Sequence, residues 1–357
     1  MNSILTFLQE HWQRLGLEAY GRPGQLTSVA LTPRFHASSH VVFLIMPRDR
    51  SQPVLVAKAP RLAGEGPTLV REAANLRAVQ ASRQEGFASI PRVVAFEEVW
   101  QRPVLVETAI VGRALDPPTV RRETAGACQA VTRWLGDVQT AGRRAAATES
   151  DWYERLVDKP LAFLRQRVAF SAEDAALVEG TLRLAEGLKD MDLPLVVEHG
   201  DLSHPNVLLR EDSLQGRLRI GVVDWELADV RGLPACDLFF FLTYVVFALY
   251  RARKNRRYVS AFREAYAASD PWMTPYVRDY AQRLALPPPS LAPLFVLTWA
   301  RYLAGLLMRL DSAAADGSPS DGAPSDEETA TWLRNNRYYA LWREALDHVV
   351  DLHRHWT

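Results

Sequence analysis

The feature that most limits the fold of this chain is a change of hydrophobic period near residue 110. Residues 26–60 alternate and are rich in β-branched side chains, in the runs "LTSVALTPRF", "HVVFLIMPRD" and "PVLVAKAP" with polar or proline-bearing turns between them. That pattern predicts an antiparallel three-stranded sheet. "TLVREAANLRAVQ" follows as a helix with Thr68 placed to cap it, and "PRVVAFEEV" and "RPVLVETAI" predict two more strands. From about residue 114 the pattern turns to long helical stretches, broken by a pair of short strands around "VVEHGDLSHPNVLLRE". The expectation is an α+β chain. A small sheet-rich N-terminal lobe spans 1–110 and a larger, mainly helical C-terminal lobe spans 111–357, with a boundary near Thr108 to Gly112 and a ligand cleft between the two.

Lys plus Arg and Asp plus Glu both number 42 among 357 residues, so there is no global field to draw in nucleic acid or an anionic membrane, and charge recognition must be local. Cys128 and Cys236 are too few for a disulfide framework and read as buried small hydrophobes. The N-terminal "MNSILTFLQEHWQRLG" lacks the basic start and unbroken apolar core of a signal peptide, and its Ile4, Phe7, Leu8, Trp12 and Leu15 recur at helical spacing. The apolar run "LFFFLTYVVFALY" at 238–250 is shorter than the roughly 20 residues needed to cross a bilayer. It reads as a core helix, and the expected location is cytoplasmic. Residues 311–328, dense in Ser, Gly, Pro and Asp, read as a mobile surface loop.

The chemistry gathers at the pair of short strands. "EDSLQGR" has turn composition and is flanked by "VLLR" and "LRIGVV". With the turn centred near Gln215, Leu208 falls opposite Val222, Arg210 opposite Ile220 and Asn206 opposite Asp224. Directly opposed Cβ atoms lie about 4.5–5.5 Å apart, close enough for an amide and a carboxylate to share a cation, and oxygen donors of that kind suit Mg²⁺. Asp201 lies upstream, where a carboxylate can take a proton from an attacking hydroxyl. In the other half, Lys58 ends the strand "PVLVAK", and Glu72 is embedded in the apolar stripe Leu69, Leu76 and Val79 of the next helix. An unpaired buried carboxylate is costly, and Lys58 is its natural partner.

The stretches "VLVAK", "REAANL", "VLVETAIVGRAL", "HGDLSHPNVLL", "VVDWE" and "PACDLFFFL" occur in this order over roughly residues 54–242. In them the sequence resembles the aminoglycoside phosphotransferase and choline kinase family, a small-molecule branch of the protein-kinase-like fold. The resemblance implies a bilobal kinase-like architecture and ATP-dependent phosphorylation of a small-molecule hydroxyl with Mg²⁺. It implies Asp201 as catalytic base, Asn206 and Asp224 as metal ligands, Lys58 as phosphate anchor and Glu72 as its partner. The main chain near Glu107 to Ala109 would meet the adenine, His199 would support the catalytic loop, and Asp237 would brace that loop from the following helix.

The glycine-rich loop of kinases is absent. The turn "RFHASSH" stands in its place, with Ser38 and Ser39 and their amides available to cover the phosphates. Asp237 can also cap a helix beginning at Leu238. His204 is structural or substrate-facing, the basic run "RARKNRR" at 251–257 reads as a solvated helix end, and "WLRNNRYYALW" at 332–342 reads as helix packing. Three other functions compete: a kinase of Ser or Thr in a peptide, a nucleotide-binding regulator without catalysis, and a non-haem iron site built on His199, Asp201 and His348. The acceptor and the oligomeric state are not written in any motif.

Overall fold

The structure, a computed structural model, describes residues 3–31, 40–61, 66–99, 101–146, 149–168, 170–212, 217–252, 255–315 and 326–357. Its strands are β1 (Leu26–Leu31), β2 (His40–Pro47), β3 (Leu55–Pro60), β4 (Val93–Val99), β5 (Arg102–Thr108), β6 (Arg113–Ala114), β7 (Arg144–Ala145), β8 (Pro194–Glu198), β9 (Val207–Asp212), β10 (Arg217–Val222) and β11 (Asp229–Gly232). The helices are α1 (Ser3–Glu10), α2 (Gly66–Ala81), α3 (Pro117–Ala141), α4 (Lys159–Arg167), α5 (Ala172–Glu186), α6 (Cys236–Leu249), α7 (Asn255–Tyr266), α8 (Thr274–Leu284), α9 (Leu291–Ala315), α10 (Asp326–Asn335), α11 (Arg337–Asp347) and α12 (Val349–Trp356). The α+β class is as expected. Two compact units form, one from Met1–Leu115 with Pro205–Ala228, the other from Asp116–His204 with Asp229–Thr357.

In the first unit an antiparallel sheet runs in the order β1-β2-β3-β5-β4. Strand alternation gives it two faces. Leu55 and Ala57 of β3 and Val104 and Val106 of β5 join Leu26 and Ile45 in an apolar layer, against which Ile4, Phe7, Leu8, Trp12 and Leu17 pack. The N-terminal amphipathic helix is therefore a core element. Lys58, Leu105 and Glu107 alternate with that layer, and α2 packs on β3, β4 and β5 with Leu69, Glu72, Leu76 and Val79 buried. Helix α2 already includes Gly66 and Pro67, so Thr68 is inside it rather than its cap; Pro67 suits the first helical turn, where its missing N–H costs nothing.

The hairpin β9–β10 belongs to this same unit, because β6 continues its sheet with Arg113 opposite Leu209 and Ala114 opposite Leu208. Chain order had grouped it with the helical half. Its register is one residue from the expected one: Val222 pairs with Val207, Gly221 with Leu208 and Ile220 with Leu209. A hairpin register is set by its turn, and a turn centre misplaced by half a residue shifts every pair by one.

The second unit is mainly helical, with the small sheet β11-β8-β7. Its centre is α9, which packs against α4, α5, α6, α11 and α12. Phe295 is fully buried with ring centroids of Phe239 at 4.8 Å, Tyr266 at 4.8 Å, Phe262 at 5.3 Å and Trp356 at 5.3 Å. The stretch Pro288–Asp311 is long and apolar enough to cross a membrane by length and composition, yet 72% of its apolar window is buried inside the protein. The run at 238–250 lies in the buried helix α6, as expected, and α9 is a second, longer apolar helix that contains Arg301. Helix α9 runs on to Ala315 and α10 starts at Asp326, so both ends of the expected loop 311–328 are helical, and 316–325 lie outside the described residues. Cys128 and Cys236 are both free and buried.

Replacing Phe295 with Ala should lower unfolding free energy by about 3–5 kcal/mol, the cost of a large aromatic cavity that cannot collapse. Urea denaturation measures it, and an unchanged midpoint would contradict this packing.

Candidate active site

In the first unit one lysine holds the polar groups together. The Lys58 ammonium is ion-paired with Glu72 and lies 3.6 Å from Glu107. All three side chains are almost fully buried. Burial opposes the charge on Lys58, but Glu107, Glu72 and Asp224 overcome it and hold the ammonium above its ordinary range. Glu72 Oε1 accepts from Lys58 and also from the Trp225 N–H at 3.3 Å. The Asn75 amide donates to the Trp225 carbonyl at 3.0 Å and the Glu226 carbonyl at 3.3 Å. Helix α2 thus fixes both the lysine on β3 and the backbone just after Asp224.

Asn206 is opposite Val223 rather than Asp224, with the Val223 N–H donating to the Asn206 carbonyl at 3.1 Å. Asp224 then leaves the strand at φ 71°, a left-handed conformation uncommon for a residue other than glycine. Both side chains nonetheless line one cavity of about 580 Å³ together with Lys58, Glu107 and Glu226. Leu31, Val42, Leu44, Val56 and Ile110 supply its apolar wall. The sequence reading brought Asn206 and Asp224 together by direct opposition; the backbone does so by a turn at Asp224.

The Glu107 side chain was not foreseen as part of this cluster. Its signal was present: in "VLVET" the alternation that buries Val104 and Val106 in the apolar layer must put Glu107 on the Lys58 face, opposite Val56. Oε2 of Glu107 and Oε2 of Glu72 are buried without a hydrogen-bond partner. The Ala109 N–H donates to the Val54 carbonyl at 3.1 Å, so that amide is already used within the sheet. Ala109 lines a separate cavity of about 320 Å³ with Phe87, Ser89 and Gly221. Ser38 and Ser39 lie outside the described residues.

The second unit carries Asp201 on the loop after β8. Gly200 takes φ 80°, where a Cβ would be strained, and turns the chain sharply. The Asp237 carboxylate accepts the His199 N–H at 2.7 Å and the Gly200 N–H at 3.0 Å. Helix α6 begins at Cys236, so Asp237 sits in its first turn and spends its oxygens on this loop instead of a cap. Burial and the charge of Glu198 push its carboxyl up to about 7. Gln139 donates to the Val197 carbonyl at 2.9 Å and to Asp237 at 3.5 Å, and accepts from the Tyr280 hydroxyl. His199 is buried, and its Nδ1 accepts the Asp201 N–H at 3.3 Å. His348 pairs instead with Glu344 and Asp351 at 3.7 and 3.6 Å, so the geometry does not join it to an iron triad.

Two contacts here had no motif to announce them. Arg301 of α9 makes a two-pronged pair with Glu198, both distances 3.0 Å, anchoring the end of β8 just before the loop. The Tyr302 hydroxyl, next along α9, donates to Asp201 Oδ1 at 3.4 Å. The tract at 332–342 is more than packing: Arg337 donates to the hydroxyls of Tyr244 at 2.8 Å and Tyr338 at 2.7 Å.

One unit thus carries a buried lysine–carboxylate cluster lining a cavity with an amide and a second carboxylate, and the other carries an aspartate loop held by its backbone. Residues 34–276, more than half of the chain, match the profile of the phosphotransferase enzyme family, and the chain belongs to that family. No curated protein sequence matches it closely enough to add to this. Among solved structures it is similar to a GDP complex of a point mutant of aminoglycoside 2'-phosphotransferase-IIIa, with TM-score 0.48 and 14% identity over 96% of this chain and 97% of that one. It is similar also to a putative fructosamine-3-kinase from Haemophilus somnus 129PT, with TM-score 0.48 and 12% identity over 95% and 97%. An aminoglycoside phosphotransferase from Streptomyces rimosus gives TM-score 0.40 and 17% identity over 83% and 99%.

Burial, with Lys58 opposing it and Glu72 and Asp224 adding to it, pushes the Glu107 carboxyl from 4.5 up to about 7. The folded state therefore holds that proton more tightly than the unfolded one. The associated stability is fully present below about pH 4.5 and is lost as pH rises through 7. A Glu107→Gln variant should lose less stability than wild type between pH 5 and 8, by on the order of 1 to 3 kcal/mol. Urea unfolding at several pH values measures the difference, and parallel curves would refute the assignment.

Proposed function

We propose that this phosphotransferase moves the terminal phosphoryl group of ATP, with Mg²⁺, to a hydroxyl of a small molecule. The observation that carries the reading is the Lys58 cluster. One ammonium lies in the field of three carboxylates, Glu72, Glu107 and Asp224, at the polar end of a cavity whose other wall is apolar. The apolar wall suits a flat base, and Lys58 suits a phosphate oxygen. Glu72 and Asp224 together outweigh the one ammonium, which favours a divalent cation beside it. Asn206 and Asp224 have the hard oxygen donors that Mg²⁺ prefers and would hold it. When bound, Mg²⁺ neutralises charge on the phosphates.

Asp201 would orient the acceptor hydroxyl and take its proton. The bond from the terminal phosphorus to the bridging oxygen of ATP breaks, a bond to the acceptor oxygen forms, and ADP leaves. Tyr302 donates a hydrogen bond to Asp201, and the loop fixed by Asp237 holds it in place. Catalysis of this kind is mostly positioning and electrostatics.

Asp201→Asn should reduce acceptor-dependent ADP release by roughly 10² to 10⁴, the worth of a positioned acid or base. Chelation of Mg²⁺ should abolish the release and added Mg²⁺ restore it. A panel of hydroxylated metabolites, antibiotics and Ser/Thr peptides supplies the acceptors. Undiminished turnover in the Asp201 variant would overturn the assignment.

A further inference from the structure

We propose that the acceptor is a hydroxylated acid whose carboxylate or other oxyanion is held by Arg121, Arg251 and Arg337; the proposal rests on the alcohol-phosphorylating reading above. These three arginines line one cavity of about 370 Å³ in the helical unit, together with His204, Tyr244 and Tyr258. Arg121 donates to the Ala248 carbonyl at 3.0 Å. The Arg337 guanidinium stands 4.8, 5.4 and 5.5 Å from the ring centroids of Tyr338, Tyr244 and Tyr258. Its hydrogen bonds go to the hydroxyls of Tyr244 and Tyr338.

The contrast with other arginines of the same unit is informative. Arg301 is paired with Glu198, Arg155 with Asp229 and Arg263 with Glu344. Among the described residues Arg121, Arg251 and Arg337 have no such ion pair. Three guanidinium-bearing residues line one cavity, and an anion with forked oxygens matches guanidinium geometry. An ammonium-bearing acceptor would be repelled by the same group. His204 lines the same cavity, and its buried Nδ1 has no hydrogen-bond partner among the described residues.

The cavity is tied to Asp201 within this unit. His204 follows Asp201 by three residues, and its ring meets Tyr244 at 5.9 Å. From the other side, Tyr302 donates to Asp201, its ring lies 4.6 Å from that of Tyr338, and the Tyr338 hydroxyl receives the Arg337 donation. Asp201 and the arginines thus share one wall of tyrosines.

The test uses the full chain with ATP and Mg²⁺ and matched acceptors that differ in charge: glycerate, glyceramide and aminopropanediol, then gluconate, gluconamide and glucamine, with glycerol phosphate as the phosphate-bearing arm. Acceptor-dependent ADP release should favour the anionic member of each set, and the ratio of gluconate to glycerol phosphate distinguishes carboxylate from phosphate. Arg251→Ala, at an exposed position, and Arg337→Gln should each raise the acceptor KM roughly 30-fold with the KM for ATP little changed. Preference for the amide or amine members, or an unmoved acceptor KM in both variants, overturns the proposal. A chain that binds no nucleotide overturns the reading of the first unit instead, whereas one that phosphorylates only amines leaves that reading standing.

Discussion

The charge on Lys58 organises the first unit. A buried ammonium has to be paired, and one that is paired with a helix carboxylate fixes that helix against its strand. Glu72 spends the same oxygen on the lysine and on the amide following Asp224, so sheet, helix and hairpin are joined through a single atom. The pairing is not balanced. Glu107 and Asp224 also act on the lysine, and burial outweighs the lysine at Glu107, whose carboxyl is held up to about 7.

The second unit solves a different problem by the same means. Its aspartate loop needs a sharp turn at Gly200, and the amides exposed by that turn are received by Asp237 from the start of α6. A carboxylate at a helix start usually serves its own helix; here the neighbouring loop takes it. Gln139 and Tyr280 close the network, so α3, α6 and α8 together set the backbone on which Asp201 is carried.

Local pattern revealed most of this arrangement. Alternation marked β2, β3 and β5, helical spacing marked Glu72 as a buried carboxylate, and the lysine needed to pair with it was the one ending β3. What stayed hidden depended on backbone geometry or distant partners. The hairpin register turned on half a residue in the turn, and the φ of Asp224 has no residue-type signature because glycine is absent there. Arg301 and Tyr302 lie about a hundred residues beyond the groups they touch, within a stretch whose pattern says only core. Arg337 looked like part of a packing tract because its partners are aromatic; a guanidinium among tyrosines and an ordinary aromatic helix face read alike.

Arg301 also bears on how the chain comes to fold. Helix α9 is apolar enough to seek lipid or another exposed strand when newly made, and its one buried guanidinium needs Glu198. Glu198 is made about a hundred residues before Arg301, and α4, α5 and α6 also precede α9, whereas α11 and α12 follow. The helix therefore emerges onto a surface half built, with its counterion waiting and its second side still open. Until α11 and α12 follow, the sides of α9 they cover are open, and the pair with Glu198 gives the helix a place to dock meanwhile.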